Sequence, residues 1–140
     1  MMRFSQLVGA VLALGLSAAA LADDAMFQGL GGSVGIGKIV ATLIPMLQAD
    51  TRVNESFRDS DMKQLAQRLE QQVCVLSGGP CAYKGKDMAT IHDGLNITNA
   101  QFNAVAEDLQ EAMERHGVPS RVQLKLMAKL APMQRDIVTK

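Results

Sequence analysis

The sequence predicts an all-α fold, on three observations. Apolar residues recur at a 3.6-residue period in four separate stretches, no stretch alternates at a period of two, and Gly or Pro punctuates the chain between stretches. A short apolar opening, Ala25 to Leu30, stops at Gly31-Gly32. The first long helix is expected from Ser33 or Val34 to about Gln48, with Ile36, Ile39, Val40, Leu43 and Leu47 on one face. Gly35 and Gly37 weaken it, and Pro45, which lacks an amide donor, should kink or tighten its last turn. Asp50 to Ser60 is polar and irregular, with Phe57 as its large apolar residue. A second helix is expected from near Asp61 to near Leu76, apolar at Met62, Leu65, Leu69, Val73 and Leu76 and polar at Lys63, Gln67, Glu70 and Gln71. Pro80 to Asp87 reads as a loop, and Met88 to His92 as a short helical piece ended by Gly94. Thr98, with Gln101 three residues later, has the capping-box pattern that opens a helix through Phe102, Val105, Leu109 and Met113. Gly117 and Pro119 end it, and a last helix is expected from Ser120 to about Val138, dented at Pro132. Four amphipathic helices of this kind enclose one core.

The chain has 140 residues, 48% of them hydrophobic, which suits a single domain. Fourteen basic and fourteen acidic residues cancel, so charge favours neither nucleic acid nor an anionic membrane. At 4% aromatic residues the chain also lacks stacking platforms for single strands, and no nucleic-acid partner is expected. Residues 1–22 read as a signal peptide, with Arg3 at the start, an apolar run from Leu7 to Leu16, and Ala20-Leu21-Ala22 before Asp23-Asp24. The apolar run is shorter than the roughly 20 residues that span a bilayer. An uncleaved anchor is the alternative. The expected mature chain, residues 23–140, is nearly neutral, exported to a compartment such as a bacterial periplasm, and not stably inserted in a membrane. In such a compartment Cys74 and Cys81, on either side of Ser77-Gly78-Gly79-Pro80, are expected to pair, the alternative being two separate thiols.

Catalytic motifs are absent. No serine sits in G-x-S-x-G, and no H-E-x-x-H or calcium-loop pattern occurs. Gly31 to Gly35 is glycine-rich before a helix, but neither a preceding strand nor the Walker lysine accompanies it. Of the two histidines, His116 sits at a helix end beside Arg115 and suits a structural role. His92 lies among Met88, Ile91, Leu95 and Ile97, where a lone histidine serves either as a hydrogen-bonded core residue or as a ligand.

An ordered set of short motifs carries further information. It comprises Phe27-x-x-Leu30-Gly31-Gly32, Phe57, Asp61-Met62-x-x-Leu65, and Gly78-Gly79-Pro80-x-x-Tyr83-x-Gly85-x-x-Met88. It continues with His92-x-Gly94-Leu95-x-Ile97-Thr98, Phe102-x-x-Val105 and Gly117-Val118-Pro119. In order and spacing this set resembles the group I (N-type) truncated haemoglobins across almost all of residues 26–138. The resemblance implies a two-over-two helical sandwich around haem b, with His92 as proximal iron ligand. It further implies that Phe57 packs the ring, that Tyr83 and Arg68 stand near the propionates, and that Met88 and Phe102 pack the proximal side.

Departures from the family pattern fall on the opposite face. Ile44 aligns with the family's distal tyrosine, and Leu65 and Leu69 with its polar distal-helix positions, so the expected distal pocket is apolar. Gln64, Gln67, Gln71 and Gln72 are expected off the stripe that faces the haem, and Met46 and Lys63 are poorly placed to serve as a second axial ligand. The resulting expectation is a gas-binding protein for oxygen, nitric oxide or carbon monoxide rather than an enzyme, with a reductase as a candidate partner. The alternatives are a redox haemoprotein that transfers electrons or detoxifies nitric oxide, and a haem-free globin-fold adaptor.

Overall fold

A computed structural model describes residues 25–140, and the signal peptide assigned to residues 1–22 lies outside them. Among the described residues every regular element is helical. In chain order they are α1 (25–29), α2 (Gly32–Ala49), a 3-10 turn (Asn54–Phe57), α3 (Met62–Leu76), α4 (Met88–Ile91), α5 (Asn99–Arg115), α6 (Ser120–Leu130), a second 3-10 turn (Ala131–Met133) and α7 (Gln134–Ile137).

Helix α2 forms the centre of the core. Its positions Ile36, Ile39, Val40, Leu43 and Leu47 are buried, and the helix packs on both α3 and α5. Its length and apolarity would suffice for a membrane span, but this apolar face is covered by protein. Helices α2 and α3 make one pair and α5 and α6 the other, which is the two-over-two sandwich. From the second pair, Met113 and Leu126 are fully buried in the same core.

Local chemistry sets the ends of these elements. The Asp61 carboxylate accepts the Gln64 amide at 3.1 Å and caps α3. Thr98 and Gln101 form a complete capping box at the start of α5, at 3.1 and 3.0 Å. Pro45 sits on the exposed side of α2, and the helix runs through it to Ala49. Pro132 acts more strongly: the last helix stops at Leu130 and passes through a 3-10 turn before α7, because a proline mid-helix removes one donor and crowds the preceding turn.

One feature braces the end of α3, and another joins the end of α2 to α5. Cys74 and Cys81 form a disulfide with Cα atoms 6.2 Å apart, tying the end of α3 to the following loop. Between them, Gly79 lies so close to Cys74 Sγ and the Phe27 ring that a Cβ there would stand 2.6 Å from each. At the far end of α2, Asp50 accepts the Arg52 backbone amide at 3.0 Å and its guanidinium at 2.9 to 3.2 Å, and Arg52 also donates to Glu107 at 2.6 Å. The Arg52 guanidinium holds Asp50 down at about 2. Asp108, only 7% exposed, has one carboxylate oxygen without a hydrogen-bond partner, and its nearest cation is Arg52 at 3.8 Å. Burial first, and then the neighbouring Asp50 carboxylate, push Asp108 up to about 6.

Replacing both cysteines by serine should lower stability by about 2.5 kcal/mol through loop entropy, a fall in Tm of on the order of 10 °C; thermal melts with and without reductant check this. Asp108 has a folded-state pKa above its ordinary value, so its contribution is complete below pH 4 and lost as pH rises through about 6. Asp108→Asn should therefore stabilise the protein at pH 7.5, by up to about 1 kcal/mol after solvent screening, and the gain should vanish at pH 4. Urea titrations at the two pH values measure it.

Candidate functional site

Where α3 faces α4 and α5 the core opens into a cavity of about 280 Å3. This is at the lower edge of the roughly 300–1,000 Å3 typical of small-molecule sites. Each element contributes one face. Helix α2 supplies Val40, Leu43 and Leu47, and the first 3-10 turn supplies Phe57. Helix α3 supplies Leu65, Arg68, Leu69, Gln72 and Val73, spaced three and four residues apart as one helical stripe. Across from it stand Met88 of α4, His92 at the end of α4, and Phe102, Val105 and Leu109 of α5. Met133 and Ile137 close the wall from the C-terminal segment.

His92 is the chemically distinctive member. The Asp87 carboxylate caps α4 by accepting the Thr90 amide at 2.7 Å, and that amide holds Asp87 below the usual carboxylate range. One turn of helix then brings His92 Nδ1 to 2.8 Å from the Met88 carbonyl oxygen. A carbonyl can only accept, so the proton resides on Nδ1 and the Nε2 lone pair is left free. Metal-binding histidines are commonly oriented by this same hydrogen bond, which also raises their basicity.

The rim is polar and internally tied. Tyr83 donates its hydroxyl to the Lys86 carbonyl at 2.7 Å, and its ring lies over Gly85, where any Cβ would collide with it. Arg68 donates to the Gln71 side-chain oxygen at 3.1 Å, and that oxygen also accepts the Lys84 amide at 3.1 Å. Arg68 thus lines the cavity, and its guanidinium shares the Gln71 side-chain oxygen with the backbone of the 80–87 loop.

The structure therefore gathers Phe57, Leu65, Arg68 and Leu69 with Tyr83, Met88, His92 and Phe102 around one cavity. It does not bring Ile44 to the wall: Leu43 and Leu47 of the same helix occupy it, and Ile44 packs half-buried against the core. Adjacent helical residues point about 100° apart, which separates Ile44 from Leu43. Gln72, expected off the haem-facing stripe, instead lines the cavity; counting three and seven residues on from Leu65 would have found Arg68 and Gln72 together. Met46 and Lys63 are absent from the wall. His116 lies elsewhere, with Nε2 at 2.6 Å from Thr42 Oγ1.

One imidazole lone pair among apolar walls is a sparse donor set. Among the described residues no three His, Cys, Asp or Glu side chains converge to hold a metal ion. A metal here must bring its own equatorial ligands, as a porphyrin does, and the residues present fit that requirement.

An all-helical two-over-two sandwich around an apolar cavity is globin architecture. The match to the family model "Bacterial-like globin" spans residues 25–139, and the chain belongs to that family, among the group 1 truncated hemoglobins. It is 34% identical over 97 residues to the group 1 truncated hemoglobin of Tetrahymena thermophila, covering 69% of this chain and 80% of the relative. The crystal structure of truncated hemoglobin from Tetrahymena pyriformis in its Fe(III) form superposes with a TM-score of 0.79 at 29% identity, over 82% of this chain and 98% of that one. The 2/2 hemoglobin of Synechococcus, at 21% identity, has the same fold with a TM-score of 0.75 over 82% of this chain and 98% of its own.

Proposed function

We propose that this chain is a haem b protein that reversibly binds a diatomic gas, with His92 Nε2 as the protein ligand to iron and an apolar wall on the opposite face. The observation that carries the reading is the 2.8 Å hydrogen bond from His92 Nδ1 to the Met88 carbonyl, which frees Nε2 within an apolar cavity. When bound, haem would supply an iron centre able to take up oxygen, nitric oxide or carbon monoxide.

The chain's own residues divide the remaining work. Phe57, Met88 and Phe102 would pack against the ring, and Arg68 at the rim, with donors left beyond its bond to Gln71, suits its carboxylates. Tyr83, whose hydroxyl hydrogen goes to Lys86, shapes the rim. Leu43, Leu47, Leu65 and Leu69 exclude water from the face opposite His92, and none of them can donate a hydrogen bond. A polarised oxygen molecule loses about 1.5–3 kcal/mol without such a donor, a factor of roughly ten to a hundred in affinity. Nitric oxide and carbon monoxide depend on it less. The site therefore suits these two ligands relatively better than oxygen, and it disfavours nitric oxide dioxygenation, which requires firmly held oxygen. A ligand held this weakly leaves the iron prone to oxidation, which makes a reductase the fitting partner. Export to an oxidising compartment such as a bacterial periplasm belongs to the same proposal, and the Cys74–Cys81 bond supports it.

Haem added to the purified protein should give a Soret band that His92→Ala abolishes and external imidazole restores; an unaltered spectrum in the variant would refute the ligand assignment. Leu65→Gln should slow oxygen dissociation from the ferrous protein by roughly ten- to a hundredfold, as read by stopped flow, and an unchanged rate would count against the apolar wall.

A further inference from the structure

Most polar side chains on the cavity wall already have oxygen or nitrogen partners. His92 donates to the Met88 carbonyl, Tyr83 to the Lys86 carbonyl, Arg68 to Gln71, and Gln101 is engaged in the capping box of α5. Gln72 differs. Its side-chain nitrogen lies 3.5 Å from Met88 Sδ and 3.4 Å from Met133 Sδ, and among the described residues these thioethers are its only hydrogen-bond partners. An amide nitrogen carries two hydrogens, and the two sulfurs take one each. Thioethers are weak acceptors, so the half-buried amide gains little where an apolar side chain of equal length would pack as well. What the amide adds is direction: it ties α3 to α4 through Met88 and to the second 3-10 turn through Met133.

Met88 is also the residue whose carbonyl anchors His92. Helix α4 is four residues long and has few backbone hydrogen bonds of its own, so its placement depends on what its side chains hold. We infer that Gln72 is a positioning residue that locks Met88, and through it the His92 imidazole, and so tunes the bond between His92 and the haem iron. This rests on the reading of His92 as the iron ligand. The contact chain Gln72–Met88–His92 crosses the cavity from α3, three residues beyond Leu69, to the segment that carries the histidine.

The test is Gln72→Met, which keeps side-chain length and removes both donors, examined in the haem-loaded ferrous protein by resonance Raman spectroscopy. The iron–histidine stretching band should shift or broaden, and amide exchange at residues 91–92 should accelerate about tenfold while that of α5 stays unchanged. Met88→Leu should produce the same change, and the double variant should add nothing to it. A lower melting temperature with an unmoved band would overturn the inference and leave Gln72 as packing only. Were Gln72→Met to misfold, as judged by circular dichroism, Met88→Leu and Met133→Leu carry the same test, and an unmoved band in both overturns it. A wild-type protein lacking any iron–histidine band would instead remove the functional reading, and this inference with it.

Discussion

The hydrogen bond from His92 Nδ1 to the Met88 carbonyl is the interaction on which the rest of the site depends. A free imidazole rotates about two side-chain torsions and exchanges its proton between two nitrogens. The carbonyl removes both freedoms, because it accepts from one nitrogen only and fixes the ring plane. That constraint holds only if the four-residue helix α4 is itself stationary. The chain around it supplies several restraints in succession: the disulfide at 74–81, the Tyr83 hydroxyl on Lys86, the Asp87 cap, and α7 packed on the helix. None is strong by itself. They are concentrated on the segment that carries the histidine.

The two helices of the first pair differ in how completely they bury their apolar residues. Helix α2 buries five apolar side chains, whereas α3 fully buries only Val73 and Cys74. Leu65 and Leu69 on α3, Phe57 before it, and Met88, Phe102 and Met133 opposite are all left half-buried. All of them line the cavity, and Phe57 and Leu69 also pack against the core beside it. A helix that meets a cavity along much of its inner face needs other supports, and α3 has them in the Asp61 cap and the Cys74 bridge at its two ends.

Periodicity made the core legible. The buried residues of α2 follow the 3.6-residue stripe read from the sequence, and the Thr98–Gln101 capping box marks the true start of α5. Of the cavity residues, Leu65, Leu69 and Phe102 fall on periodic stripes, whereas Phe57, Tyr83 and His92 lie outside any long stripe and were legible only through the ordered motifs shared with the truncated haemoglobins. What escaped the sequence was helix rotation and backbone continuity. Ile44 and Leu43 are both large and apolar, so alignment cannot tell which one reaches the cavity, and Gln72 looks like a surface residue until the wall is built around it. The break at Leu130 is hidden for a different reason. Leu126, Leu130, Met133 and Ile137 keep spacings of three and four across it, because a 3-10 turn returns side chains to nearly the same face.

These features couple the fold to its cofactor. The cavity of about 280 Å3 is walled largely by apolar side chains, so a ligand that fills it buries their surface. Whole-domain stability is only about 5–15 kcal/mol. Whatever fills the cavity therefore stabilises the folded chain by mass action, and the more tightly α4 is held, the less ordering is required when the ligand enters. On the proposed reading Leu65 and Leu69 would gain apolar contact from a ring in the same event that gives His92 Nε2 its partner. The apolar wall would then serve two ends at once: it would shape gas preference by withholding donors, and it would make retention of the ring a matter of burial as much as of coordination. An added distal amide such as Leu65→Gln would strengthen the hold on oxygen while placing a polar group against the ring. Oxygen affinity and cofactor retention should therefore trade against each other in this pocket.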